Sequence, residues 1–125
     1  MKAKTLFLSL IILSTYGCNK EDENIEASID GNYIGTFERS GNTSNVELTF
    51  NNGNWMGESE TVKFPALCYG TYSNSGNVMT FENACFWTAD FDWTLILGGD
   101  WNYILNGNSL IMTKSNGDKY TLTKQ

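Results

Sequence analysis

The stretch Cys68-Tyr69-Gly70-Thr71-Tyr72-Ser73-Asn74-Ser75-Gly76-Asn77-Val78-Met79-Thr80-Phe81-Glu82-Asn83-Ala84-Cys85 decides the fold. Gly76-Asn77 is a two-residue turn signal between segments of strand-forming residues. If those two residues form the loop, Ser75 faces Val78 and each facing pair of residue numbers sums to 153. Cys68 and Cys85 also sum to 153, so the same register sets them opposite one another. Turn chemistry and cysteine placement therefore agree on an antiparallel hairpin. A disulfide closing it stabilises by roughly 3 kcal/mol in the chain-entropy model.

The same grammar extends in both directions from this hairpin. Asn-Gly dipeptides at Asn52-Gly53, Asn106-Gly107 and Asn116-Gly117 lie between strand-like runs, and Ser40-Gly41-Asn42 and Gly98-Gly99-Asp100 supply further turns. Strand segments are expected at 31–39, 45–50, 54–62, 66–72, 78–83, 90–97, 100–105, 108–113 and 118–123. Val46, Leu48 and Phe50 alternate with Asn45, Glu47 and Thr49, which marks one buried and one wet face. Phe91, Trp93, Leu95 and Leu97 read as a second inward row, and Trp101, Tyr103 and Leu105 as a third. Pro65, the single proline, belongs at a strand start or edge because it has no N–H for a ladder. No helical periodicity follows Gly31. The fold class is therefore all-β: a small antiparallel up-and-down (meander) barrel of eight or nine strands, closed so that no edge is left exposed.

The chain opens Met1-Lys2-Ala3-Lys4 and continues into the apolar run Leu6–Leu13. A basic start and a short apolar core describe a secretory signal over residues 1–17, against the alternative of a buried N-terminal element. Ser14-Thr15-Tyr16-Gly17-Cys18 resembles the lipobox of bacterial lipoproteins, although Thr15 stands where Leu is usual and Tyr16 is bulky. The resemblance implies that the Cys18 thiol takes a diacylglyceryl group and its freed α-amino group a further acyl chain. Multiple chains are what lasting membrane attachment requires. Residues 18–29, polar and acidic, read as a solvated tether, and residues 30–125 as the barrel domain. The Lys20-Glu21-Asp22-Glu23 run is similar to signals that send such lipoproteins to the outer cell surface. The expected address is the outer membrane, facing the periplasm or the exterior.

Loss of residues 1–17 removes Lys2 and Lys4, leaving six basic against fourteen acidic residues, so the charge moves from −6 to −8. An acidic domain is repelled by phosphate backbones, which argues against nucleic acid as a partner. With Cys18 lipidated, Cys68 and Cys85 form an even pair in an exported chain, and a bridge is expected rather than two buried thiols.

Phe64-Pro65-Ala66-Leu67-Cys68-Tyr69-Gly70-Thr71-Tyr72, followed by Phe81 through Leu97 with Cys85-Phe86-Trp87, resembles a family of small lipocalin-like lipoproteins of Bacteroidetes. The likeness runs from Gly31 to Gln125, with the two-cysteine block as its specific part. It implies a lipocalin-like barrel and an envelope address, and it implies no reaction.

The chain contains no histidine, which removes the usual general base and the commonest metal ligand. No Gly-x-Ser-x-Gly or P-loop motif occurs, so no enzyme activity, cofactor or metal is expected. Asp90 and Asp92 flank Phe91 and are expected as solvated outward carboxylates, and Arg39, the single arginine, as an exposed strand end. Fifteen aromatics follow the signal segment. Trp93 and Trp101, with Phe91, Tyr103 and Trp55, are the candidate lining of a barrel interior that holds a small apolar ligand. The competing expectation is a filled core and an outer face that docks an envelope protein or glycan. In either case the protein binds rather than catalyses.

Overall fold

The computed structural model describes residues 28–88 and 90–125. The signal segment, Cys18 and most of the tether lie outside the described residues. Eight strands follow one another: β1 (Gly31–Arg39), β2 (Asn42–Asn51), β3 (Asn54–Ser59), β4 (Tyr69–Ser75), β5 (Val78–Asn83), β6 (Gly99–Asn106), β7 (Ser109–Thr113) and β8 (Lys119–Lys124). Each pairs antiparallel with its neighbour in sequence, and β1 pairs with β8 to close the barrel. The β4–β5 register is the one expected: Ser75 faces Val78, Gly70 faces Asn83, and Cys68 is bonded to Cys85 with Cα atoms 6.2 Å apart. Asn52 and Gly53 turn β2 into β3 with φ of 52° and 85°, the left-handed conformation that Asn and Gly tolerate and a two-residue hairpin demands.

Period-two alternation aims one side chain in two at the bore. Tyr33 and Phe37 of β1, Val46, Leu48 and Phe50 of β2, Trp55 of β3, Met79 and Phe81 of β5, Trp101 of β6, Leu110 and Met112 of β7, and Tyr120 and Leu122 of β8 are all buried. Their rings meet across the bore, mostly edge to face or tilted. Phe50 lies 5.5 Å from Tyr33, 5.1 Å from Tyr72 and 6.2 Å from Phe81, and Tyr120 lies 5.0 Å from Phe37 and 5.2 Å from Trp101. The bore is thus filled by side chains, as expected of a barrel this small. Where strands cross most closely there is no room for a side chain. A Cβ on Gly35 would lie 1.9 Å from the Thr121 carbonyl oxygen, at the β1–β8 seam.

Three expectations are corrected. Residues 90–97 form no strand: Asp92 accepts hydrogen bonds from the Thr94 N–H (3.0 Å) and hydroxyl (2.6 Å), and this local bonding turns the chain into a single 3-10 turn, Trp93–Leu95. The last residue of that apparent row still reaches the core, as Leu97 is buried, but Trp93 is not inward. Pro65 lies neither at a strand start nor at an edge. It is buried in the loop between β3 and β4, preceded by a cis peptide bond. Ile29, placed by sequence in the tether, is buried and accepts a 2.7 Å hydrogen bond from the Tyr33 hydroxyl, so the packed domain includes it.

Candidate functional sites at the two barrel ends

The meander gives the barrel two unlike ends. The leading segment Ser28–Asp30, the tight turns at Asn52-Gly53, Gly76-Asn77 and Gly107-Asn108, and the C-terminal Gln125 share one end, called here the turn end. The opposite end carries the long connections 60–68 and 84–98 and the 114–118 turn, and is called the loop end.

At the loop end, Arg39 completes the inward row Tyr33, Gly35, Phe37 and is not an exposed strand end. The β1–β8 pairing ends at Glu38 and Lys119, and the next step of the same register sets Arg39 against Asp118. Its Nε donates to Asp118 Oδ1 at 2.8 Å and its Nη2 to Oδ2 at 2.6 Å, a bidentate pair in which the Asp118 side chain is 3% exposed. Nη1 reaches further out, to Asp92 Oδ2 and Thr94 Oγ1, both at 3.1 Å. Hydrogen bonding to Asp118 raises the guanidinium pKa above its ordinary value. The Thr94 hydroxyl and N–H, with Arg39 behind them, lower that of Asp92. One cation therefore ties the barrel wall to the β5–β6 connection. Lys114 lies alongside, with Nζ 2.7 Å from the Gly98 carbonyl and 5.0 Å from the Trp101 ring centre, and burial lowers its pKa.

That connection is held from three more directions. The Cys68–Cys85 bridge fixes its start, the Ala66 N–H donates to the Leu95 carbonyl at 2.9 Å, and the Trp87 indole N–H donates to Asn83 Oδ1 at 3.2 Å. On this frame stand Phe86, Trp87, Phe91 and Trp93, with Val62 and Lys63 from the neighbouring loop. Phe86 is 89% exposed, Val62 79% and Trp93 54%. Phe91 packs between Trp87 and Trp93 at 5.7 and 6.0 Å, and Lys63 Nζ sits 5.4 Å over its ring. Beside Trp93 and Ile96 a hollow of about 380 Å³ opens against Lys114 and Asn116.

The five residues expected to line one interior are therefore divided among three places. Trp55 and Trp101 are core, their indole N–H groups donating to the carbonyls of Glu82 (3.2 Å) and Gly98 (3.1 Å). Tyr103 is half-buried at the turn end, lining a rim hollow of about 550 Å³. Phe91 and Trp93 belong to the loop-end surface, because the 90–97 segment leaves the sheet before its alternation can point inward. Asp90 is exposed as expected, while Asp92, also exposed, is engaged by Arg39. Among the described residues, no three His, Cys, Asp or Glu side chains converge on a metal-sized site.

What fold and sites define is a filled eight-stranded meander barrel, stapled by one disulfide, with a braced aromatic surface at one end. No family model matches the chain, nor does any curated protein or solved structure.

Proposed function

We propose that this protein is a non-enzymatic binding module of the bacterial envelope, anchored in the outer membrane through lipidated Cys18, that docks a partner protein with its loop-end aromatic surface. One observation carries the reading: large exposed rings are held by a disulfide, a buried ion pair and backbone bonds at the barrel end opposite the chain's leading segment. Exposed apolar surface costs solubility, and bracing it spends further structure on keeping it exposed. Aromatic residues fixed before binding lose little entropy on docking. Ser28–Asp30 runs into the turn end, so a membrane tether would leave the aromatic end facing away from the bilayer. The filled bore favours this reading over an apolar ligand carried inside, which would have to displace rings such as Phe50, Phe81 and Tyr120.

The test is site-specific photocrosslinking in intact cells, with p-benzoylphenylalanine introduced at Phe86 or, as a control, at Ile104, which is 67% exposed on β6. A discrete protein adduct from position 86 and none from 104 is expected. Adducts to lipid alone, or the same products from both positions, refute the reading.

A further inference from the structure

We infer that the turn end of the barrel is a binding site for a neutral saccharide unit. The site is independent of the aromatic surface, from which the length of the barrel separates it. The hollow of about 550 Å³ lies between the leading segment and the Asn52-Gly53 and Gly76-Asn77 turns. That volume falls within the range of small-molecule sites, roughly 300–1,000 Å³.

Its lining selects the ligand class. Asp30, Asn52, Asn74, Asn77, Tyr72 and Tyr103 place carboxylate, amide and phenol groups around it, while Ile29 and Leu105 add a small apolar area. A hydrocarbon chain would leave those polar groups without partners. No basic side chain lines the hollow, and its one charged group, the Asp30 carboxylate, repels an anion. An ammonium group only donates, and would leave the amide donors unmet. Vicinal sugar hydroxyls both donate and accept, which matches side-by-side amides, phenols and a carboxylate, and the ring's C–H face suits Tyr103 and Leu105.

Four of these polar side chains, Asp30, Tyr72, Asn74 and Tyr103, are also fixed in advance. Asp30 Oδ1 accepts from the Tyr72 hydroxyl and from the Asn52 N–H, both at 3.1 Å, and the Asp30 N–H donates to Ser28 Oγ at 3.1 Å. Asn74 Nδ2 donates to the Tyr103 oxygen at 3.2 Å, so that hydroxyl keeps its own proton for a ligand. Burial, with Asp30 accepting its hydrogen bond, pushes the Tyr72 pKa up to about 12, in keeping with a phenol held on Asp30. Preorganisation of this kind lowers the entropy lost on binding.

The experiment is saturation-transfer NMR on the detergent-solubilised mature chain. The probes are methyl glycosides of glucose, galactose, mannose and N-acetylglucosamine, the corresponding alkyl glycosides in the micelle, tetramethylammonium and octanoate. Saturable transfer to at least one glycoside is expected. It should weaken roughly fivefold in Tyr103→Phe, the equivalent of one hydrogen bond, weaken in Asn77→Ala, and persist in Phe86→Ser. Binding of the free glycosides identifies a soluble glycan as the source, and binding of only the alkyl forms identifies a glycolipid headgroup. Transfer to no glycoside, transfer only to tetramethylammonium or octanoate, or signals indifferent to both turn-end substitutions overturns the inference.

Discussion

Replacing Arg39 by Met keeps the apolar stem and removes the guanidinium. Asp118, whose side chain is 3% exposed, then retains only Asn116 Nδ2, at 3.2 Å, as a side-chain donor. Breaking a fully buried ion pair from one side costs about 3–5 kcal/mol. Arg39 is itself 20% exposed, so water can reach part of the orphaned carboxylate, and about 2–3 kcal/mol is the expected loss. For a domain of this size each kcal/mol lowers Tm by about 4–8 °C, so the melting point should fall by about 10–20 °C. Urea unfolding followed by tryptophan fluorescence measures the free energy, and calorimetry the Tm. The double substitution Arg39→Met with Asp118→Leu should recover most of the loss, because the buried charge goes with its partner. Added salt should do little to the Arg39–Asp118 interaction and more to the exposed Arg39–Asp92 one. A loss below about 0.5 kcal/mol, or strictly additive single substitutions, would refute the buried-pair account.

Opening the Cys68–Cys85 bridge by Cys→Ser at both positions should cost about 3 kcal/mol in urea titrations, from the 17-residue separation. The same change should loosen the 84–98 connection, seen as faster amide exchange at Trp87 than at Leu122. Gly35→Ala should destabilise by about 3 kcal/mol or more, although alanine is the stiffer residue, because its Cβ meets Thr121 and Leu122 backbone that cannot move without parting the seam. Alkali should be poorly tolerated. Burial raises the pKa of Tyr33, Tyr72 and Tyr120, so their contribution is intact below the unfolded value of about 10 and drains away as pH rises through the higher folded values. A melting curve unchanged between pH 9 and roughly 12 would contradict it. Cys18→Ala should move the protein from the membrane to the soluble fraction of fractionated cells, with the melting temperature of the barrel unchanged.

The local rules of the hairpin were readable because they involve near neighbours. Gly76-Asn77 sets the loop, the loop sets the register, and the register sets Cys68 against Cys85. The Val46–Phe50 row was legible for the same reason, as its period of two survives intact in β2. Phe91-Asp92-Trp93-Thr94-Leu95 shows the same period without being a strand, because apolar alternation does not reveal whether Asp92 will cap its own chain at Thr94. Arg39 looked exposed for a different reason. Its partner lies 79 residues away, across a seam whose register no turn specifies. The turn-end hollow was invisible in the same way: Asp30, Asn52, Asn74 and Tyr103 come from separate segments, and only closure brings them together. Composition announced many aromatics, yet the division between core and surface depended on where one connection leaves the sheet.

The seam between β1 and β8 also dictates a timetable. Gly35 pairs with Leu122, so β1, made before the other seven strands of the barrel, finds its second neighbour only when almost the whole barrel has followed. Until then Gly31–Arg39 presents a bare edge, and the seven strands already available are an open sheet with two edges able to capture another chain. Hairpins can zip as they emerge, but the longest-range contact comes last and folding waits on it. A chain cut short before Lys119 is therefore not a slightly weakened barrel but an unclosed one, and a chaperone that shields β1 until β8 arrives would act where this topology is most exposed.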